Sequence, residues 1–205
     1  VSETDESVLT DDLPPPAIIQ EVGNTLAFTL TEAARIIALP GQEIRPIHAR
    51  LTGAAERHII HTLTNTKPEG PRFKLSLRDI GTAATIFALY DMGICDLALM
   101  RQASVAMYNW SASNPPPPHR EHLAPVEAAC AGVDNGEFWV LRLANYQDDQ
   151  THNRQIHAHC YNADGAQPAI GALPESYIPR VAITVCLAPI LLPILTRVLR
   201  RARGN

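Results

Sequence analysis

The sequence predicts a mainly α-helical fold, a compact helical core domain with an extended arm at each end. Three observations lead there. Capping signals stand in front of apolar stretches at Thr29/Glu32, Ser76/Asp79 and Asp96. Both ends break that pattern: residues 1–28 open acidic and run into Pro14–Pro16, and residues 167–205 are punctuated by prolines. With 46% hydrophobic and 19% charged residues, the chain has the apolar content of a folded domain, which excludes wholesale disorder. The expected division is an N-terminal arm over 1–28, a helical core over 29–166 and a C-terminal arm over 167–205.

Each element has its own signal. Thr29 and Glu32 have capping-box spacing, and Pro40-Gly41 stops the helix they begin. Pro46 suits the start of a second helix running through Ala54 toward His61, and residues 65–71 (NTKPEGP) read as a loop. Ser76 and Asp79 open a third helix that reaches Tyr90 or Asp91, with Ala83, Phe87 and Tyr90 on one face. Gly93 interrupts, Asp96 caps again, and a fourth helix runs from Leu97 to about Trp110. Pro115–Pro118 make an extended spacer. A further helix covers Pro125 to Val133, ended by the turn Asp134-Asn135-Gly136. Residues 138–146 fit helix or strand, and residues 152–161 are expected as a short helix followed by a turn at Asn162–Gly165. From Gln167 onward the chain is expected to be extended.

Composition narrows the function. Cys95, Cys130, Cys160 and Cys186 are spread out with no CxxC pair, which fits free thiols in a reducing compartment. Acidic first residues predict no secretory leader. The formal net charge is −4, but residues 1–12 hold five of the acids and no base, so the remainder is near neutral. Lys67 and Lys74 are the only lysines among the 17 bases. Arginine is the residue for planar, bidentate contacts to phosphate or carboxylate, so a few placed well can grip a backbone without making the protein basic. The apolar run 181–195 with Arg197, Arg200, Arg201 and Arg203 behind it resembles a tail anchor, but it is shorter than a membrane span and holds Pro189 and Pro193. An apolar arm packed on protein is the preferred reading.

No nucleophile elbow, phosphate-cradling glycine loop or zinc-protease motif is present, so a binding role is expected rather than an enzyme. Histidines pair at His58/His61, His119/His122 and His157/His159, but only one half of a zinc site is suggested, so no metal and no cofactor are expected. Four stretches are candidates for ligand contact. Ser76 is first a helix cap, and a capped helix start is also an anion site. Arg101 carries a charge into an otherwise apolar helix. Tyr108 and Trp110 are rings able to stack on bases or to fill a core. Arg154 and Gln155 lie in a polar stretch between histidines.

Taken in order, several short blocks carry a likeness: SLRDI at 76–80, Gly93-Ile94-Cys95, Met100-Arg101-Gln102, Tyr108-Asn109-Trp110, the prolines from Pro115, Ala128-Ala129-Cys130, Gly132-Val133-Asp134-Asn135, and Asn153-Arg154-Gln155-Ile156-His157. Across residues 76–158 this order resembles the coat proteins of flexuous filamentous plant viruses, the potexvirus-like alphaflexivirus group. The Phe-Asp pair of that family is absent here, which leaves Asp134 as the candidate acidic residue. The resemblance implies a helical capsid subunit that binds single-stranded RNA, with Ser76, Arg101, Arg154, Gln155 and Asp134 as RNA-binding residues. It further implies a homo-oligomeric filament joined through the terminal arms, in the virion and the host cytoplasm. The alternative is a membrane-associated interaction protein anchored by residues 181–203.

Overall fold

The computed structural model describes residues 27–67, 70–165, 168 and 176–202. The fold is mixed rather than mainly α: 46% helical and 23% strand, with two antiparallel sheets among the described residues. The expected helical class is therefore corrected.

The local capping signals form as expected. Thr29 precedes α1 (Leu30–Ile37), its hydroxyl accepting from the Glu32 N–H while the Glu32 carboxylate accepts from the Thr29 N–H at 2.8 Å. A turn through Gly41, at φ +80, leads to α2 (Ile44–Glu56), which holds Pro46 in its first turn, where no helical N–H bond is lost. Ser76 and Asp79 cap α3 (Leu77–Asp91), the central helix, buried from Leu77 to Leu89 on most sides. Asp96 caps α4 (Leu97–Tyr108) with its carboxylate on the Ala98 and Leu99 N–H groups. Pro125 opens α5 (Pro125–Asp134), and Gly136 at φ +79 ends that turn.

Strands account for the departures. Phe28–Thr29 (β1) pairs with the end of β3 (Gly70–Leu75), which pairs in turn with β2 (Leu63–Lys67) in the order β1-β3-β2. A hairpin thus replaces the loop expected at 65–71; its tip, 68–69, lies outside the described residues. The second sheet has the order β5-β4-β6, from β4 (Trp139–Asp148), β5 (Arg154–Asn162) and β6 (Tyr177–Cys186). The helix expected at 152–161 is β5. Its residues alternate: Ala158 and Cys160 face the core opposite Leu143 and Leu141, while His157, His159 and Tyr161 share the other face. Pairing to β4 rewards that period of two, which a local helix reading overlooks.

The C-terminal arm is corrected as well. Residues 177–186 complete the sheet against β4, with a bulge at Asn145/Tyr146, and α6 (Ala188–Ala202) packs in the core. Leu187, Leu191, Ile194, Leu195 and Val198 are all at most 2% exposed, a helical stripe spaced i, i+4, i+7, i+8, i+11. Pro189 sits in the first turn. Pro193 deletes one helical hydrogen bond, a local cost that burial of the stripe outweighs. The apolar run 181–195, for which packing on protein is the preferred reading and a membrane anchor the alternative, ends β6 and begins α6. Val185, Leu187, Leu191, Ile194 and Leu195 are buried, and Val181 and Leu192 are exposed. No described helix is long and apolar enough to cross a membrane. The N-terminal arm, apart from Ala27 and Phe28, lies outside the described residues. On the sheet's core side Trp139 is fully buried over Gly132, where a Cβ would overlap the indole ring.

Candidate nucleic-acid interface

Helix α4 presents two faces. Leu99, Met100, Ala103, Ser104, Ala106, Met107 and Tyr108 are buried, while Leu97, Arg101, Gln102, Val105 and then Asn109 are exposed at intervals of about one turn. The helix lies along the free edge of β5 and is fastened to it at both ends. At the start, Arg154 Nη2 reaches Asp96 Oδ2 at 2.9 Å, and its Nε donates to Asn145. The Leu99 N–H and then the Arg154 guanidinium hold the Asp96 carboxyl below the usual carboxylate range. At the far end the Asn114 amide donates to the Cys160 carbonyl at 2.8 Å.

Between these fastenings is a groove of about 220 Å³. Gln102, Asn109 and Trp110 line it from α4 and the following loop, Ser111 and Ser113 from that loop, and Ile156 to His159 from β5. No Asp, Glu, Lys or Arg side chain lines it among the described residues. The Trp110 indole is fixed by donating to the Leu123 carbonyl at 2.7 Å. His159 is 8% exposed, and neither ring nitrogen has a hydrogen-bond partner among the described residues. Burial, then the nearby His157 and Arg142 charges, hold its imidazole below the ordinary histidine range.

The structure separates the sequence candidates. Arg101 and Arg154 both belong to the α4–β5 region, and Arg101 is exposed and makes no ion pair among the described residues. Gln155 is exposed on β5 opposite Tyr146. Ser76 lies elsewhere. Its hydroxyl donates to Asp79 and accepts from the Asp79 N–H, and Asp79 accepts the Tyr108 phenol at 2.6 Å. Ser76 is thus linked to the last residue of α4 and Arg154 to the first turn, roughly 18 Å apart along a 12-residue helix. The Asp79 carboxylate also occupies the helix start where a phosphate would bind, so Ser76 serves as a cap. Asp134 is exposed at the end of α5 and pairs with no cation among the described residues. Tyr108 is a core ring stacked on His61 at 4.1 Å.

The sequence reading missed Gln102, Asn109, Ser111, Ser113 and His159 as lining residues. The available signal was the His-Ala-His spacing, which on a strand puts both rings on one face. Cys130 and Cys160 are buried, and burial pushes both thiols above their usual range, away from nucleophilic use. Among the described residues no three His, Cys, Asp or Glu side chains converge as a metal site would require.

A second surface is apolar. A cavity of about 470 Å³ opens between α2, α3 and the start of α4, lined by Ala54, Ile86, Phe87 and Met100 with Arg50 and Arg57. Tyr90 and Leu97 at its edge are 48% and 41% exposed, and Met92, just past the end of α3, is 55% exposed. No family model, curated protein or solved structure matches the chain.

Proposed function

We propose that this chain is a structural virion subunit, a coat protein that encapsidates single-stranded RNA and associates with copies of itself. The observation that carries the reading is the α4–β5 seam. Helix α4 carries an exposed Arg101 with no ion pair among the described residues, and β5 begins at Arg154. Between the two elements lies a groove lined by amides, hydroxyls and rings, on blocks whose order resembles a filamentous-virus coat protein. That combination suits a strand whose phosphates meet arginine and whose bases meet amides and rings. The exposed apolar surface by α2 and α3 supports self-association. Residues 177–202 are built into the fold, so joining of subunits through a C-terminal arm is not part of the proposal.

The test is salt-titrated binding of single-stranded RNA by the full chain and by Arg101→Ala. The variant is expected to bind more weakly and to lower the salt slope by about 0.7, one phosphate contact on a single strand, with thermal stability unchanged. Wild-type RNA binding with an early melt would make Arg101 structural and remove the residue-level support. Electron microscopy of the purified chain with RNA tests assembly: filaments with a nucleic-acid absorbance spectrum are expected, and monodisperse monomers at every RNA ratio count against a coat role.

A further inference from the structure

We propose that the α4–β5 groove is a nucleobase pocket, in which His159 and the main-chain edge of Ala158 pair with the hydrogen-bonding edge of a base. This rests on the RNA-binding reading above and specifies where the base goes.

Two independent features leave hydrogen-bonding capacity unused there. The His159 ring is buried, and both nitrogens are unpartnered among the described residues. A neutral imidazole offers one donor and one acceptor, and burying both unpaired is costly unless a ligand completes them. The second feature is the edge of β5. Successive residues of a strand direct their main-chain groups to opposite sides. The Cys160 carbonyl accepts from Asn114, away from β4, so the N–H and C=O of Ala158 and Ile156 also point outward, toward α4. No hydrogen bond from outside the sheet reaches them among the described residues. The groove therefore displays donors and acceptors in alternation along one wall and the Gln102 and Asn109 amides along the other.

The shape and chemistry of the groove select the occupant. The absence of Lys, Arg, Asp and Glu from the described lining disfavours a phosphate or a metal cation inside. The fastenings at Asp96–Arg154 and Asn114–Cys160 hold α4 against the strand edge, which bars an added peptide strand. A volume of about 220 Å³ beside the Trp110 and His157 rings fits a flat, neutral heterocycle. Arg154 at the mouth and Arg101 outside would meet the flanking phosphates.

The experiment compares the full chain on strands of about 12 nucleotides: oligouridylate, oligoadenylate and an abasic strand of equal length, with uridine monophosphate and adenosine monophosphate as free-nucleotide arms. At least one base-bearing strand is expected to bind about fivefold or more tightly than the abasic one. Gln102→Ala and His159→Phe are expected to erase that advantage while leaving abasic binding unchanged. Gln102 is exposed, so its variant decides should His159→Phe fail to fold. Equal wild-type affinity for abasic and base-bearing strands overturns the pocket and leaves the RNA reading standing. So does an advantage that survives Gln102→Ala. Free nucleotides that bind in a Gln102-dependent manner while no strand binds support the pocket and remove the RNA reading. Binding of neither strands nor nucleotides overturns both.

Discussion

Ending the chain after Cys186 removes α6, and the structure gives the consequence a size. The truncation takes away Leu187, Leu191, Ile194, Leu195 and Val198, each at most 2% exposed. Full burial of such a side chain stabilises by about 1.5–3 kcal/mol, so the five together contribute about 10 kcal/mol. A domain's whole net stability is about 5–15 kcal/mol. Arg197, which donates to the Ile36 and Ala38 carbonyls at the end of α1, would be lost as well. The truncated chain is expected not to fold. A milder probe is Leu191→Ala, since Leu191 packs on α3 where a Cβ at Gly81 would stand 3.4 Å from its Cδ2. That variant should lose about 2–5 kcal/mol, a Tm decrease on the order of 10 °C for a chain of this length. Urea unfolding followed by circular dichroism reads both. A cooperative, native-like transition in the truncated chain would refute the reasoning and make residues 188–202 a docking arm after all.

Three further outcomes are expected. Gly132→Ala forces a methyl into the Trp139 indole and should destabilise by about 1–3 kcal/mol or more, seen as a lower urea midpoint without a change in m. Tyr108→Phe strips the buried Asp79 carboxylate of its phenol donor and the His61 N–H of its acceptor, and should cost about 1–3 kcal/mol in the same assay. His159 has its folded pKa depressed by burial, so the unfolded chain binds the extra proton first as pH falls. Its contribution is complete above about pH 6.5 and declines as pH drops below that value toward the folded pKa. The stability difference between wild type and His159→Phe should change with pH in that window and nowhere above it.

Features fixed by near neighbours in the chain were legible. The capping pairs Thr29/Glu32 and Ser76/Asp79, the Asp96 cap and the glycine stops at Gly41, Gly93 and Gly136 all stand where local chemistry puts them. What failed was set by distant partners. Arg154 to Tyr161 forms a strand because β4 is beside it, and Pro193 sits inside a helix because the stripe from Leu187 to Val198 has a core to enter. Reading prolines as breakers hid that stripe, although its spacing was present in the sequence. The candidate site divides in the same way. Arg101 and Arg154 belong to one region, but sequence order carries no information about which end of a helix a residue approaches, so Ser76 was grouped with them from the opposite end. His159 stayed hidden because only the strand assignment gives its ring a face and a wall.

The charge pattern bears on how RNA binding and assembly relate. Most arginines with a visible role are already committed: Arg50 to Asp91, Arg78 to Glu127, Arg120 to Glu137, Arg201 to Glu32, and Arg197 to main-chain carbonyls. Arg154 shares its charge with Asp96. On the proposed coat role Arg101 would carry much of the phosphate attraction at the seam, and one or two such contacts per subunit would give a weak, shallow salt dependence. Isolated subunits would on that account be expected to hold RNA poorly. Joining them through the apolar surface near Tyr90 and Met92 would align successive seams on one strand, and each bound subunit would raise the effective concentration of RNA at the next. Near-neutral charge then works in favour of the role, because it lets copies pack without self-repulsion while leaving affinity to accumulate along the strand. The consequence is that RNA affinity should climb steeply with strand length in the chain able to self-associate. A variant with a charge introduced at Met92 should lose that climb while keeping its affinity for a strand that spans one seam.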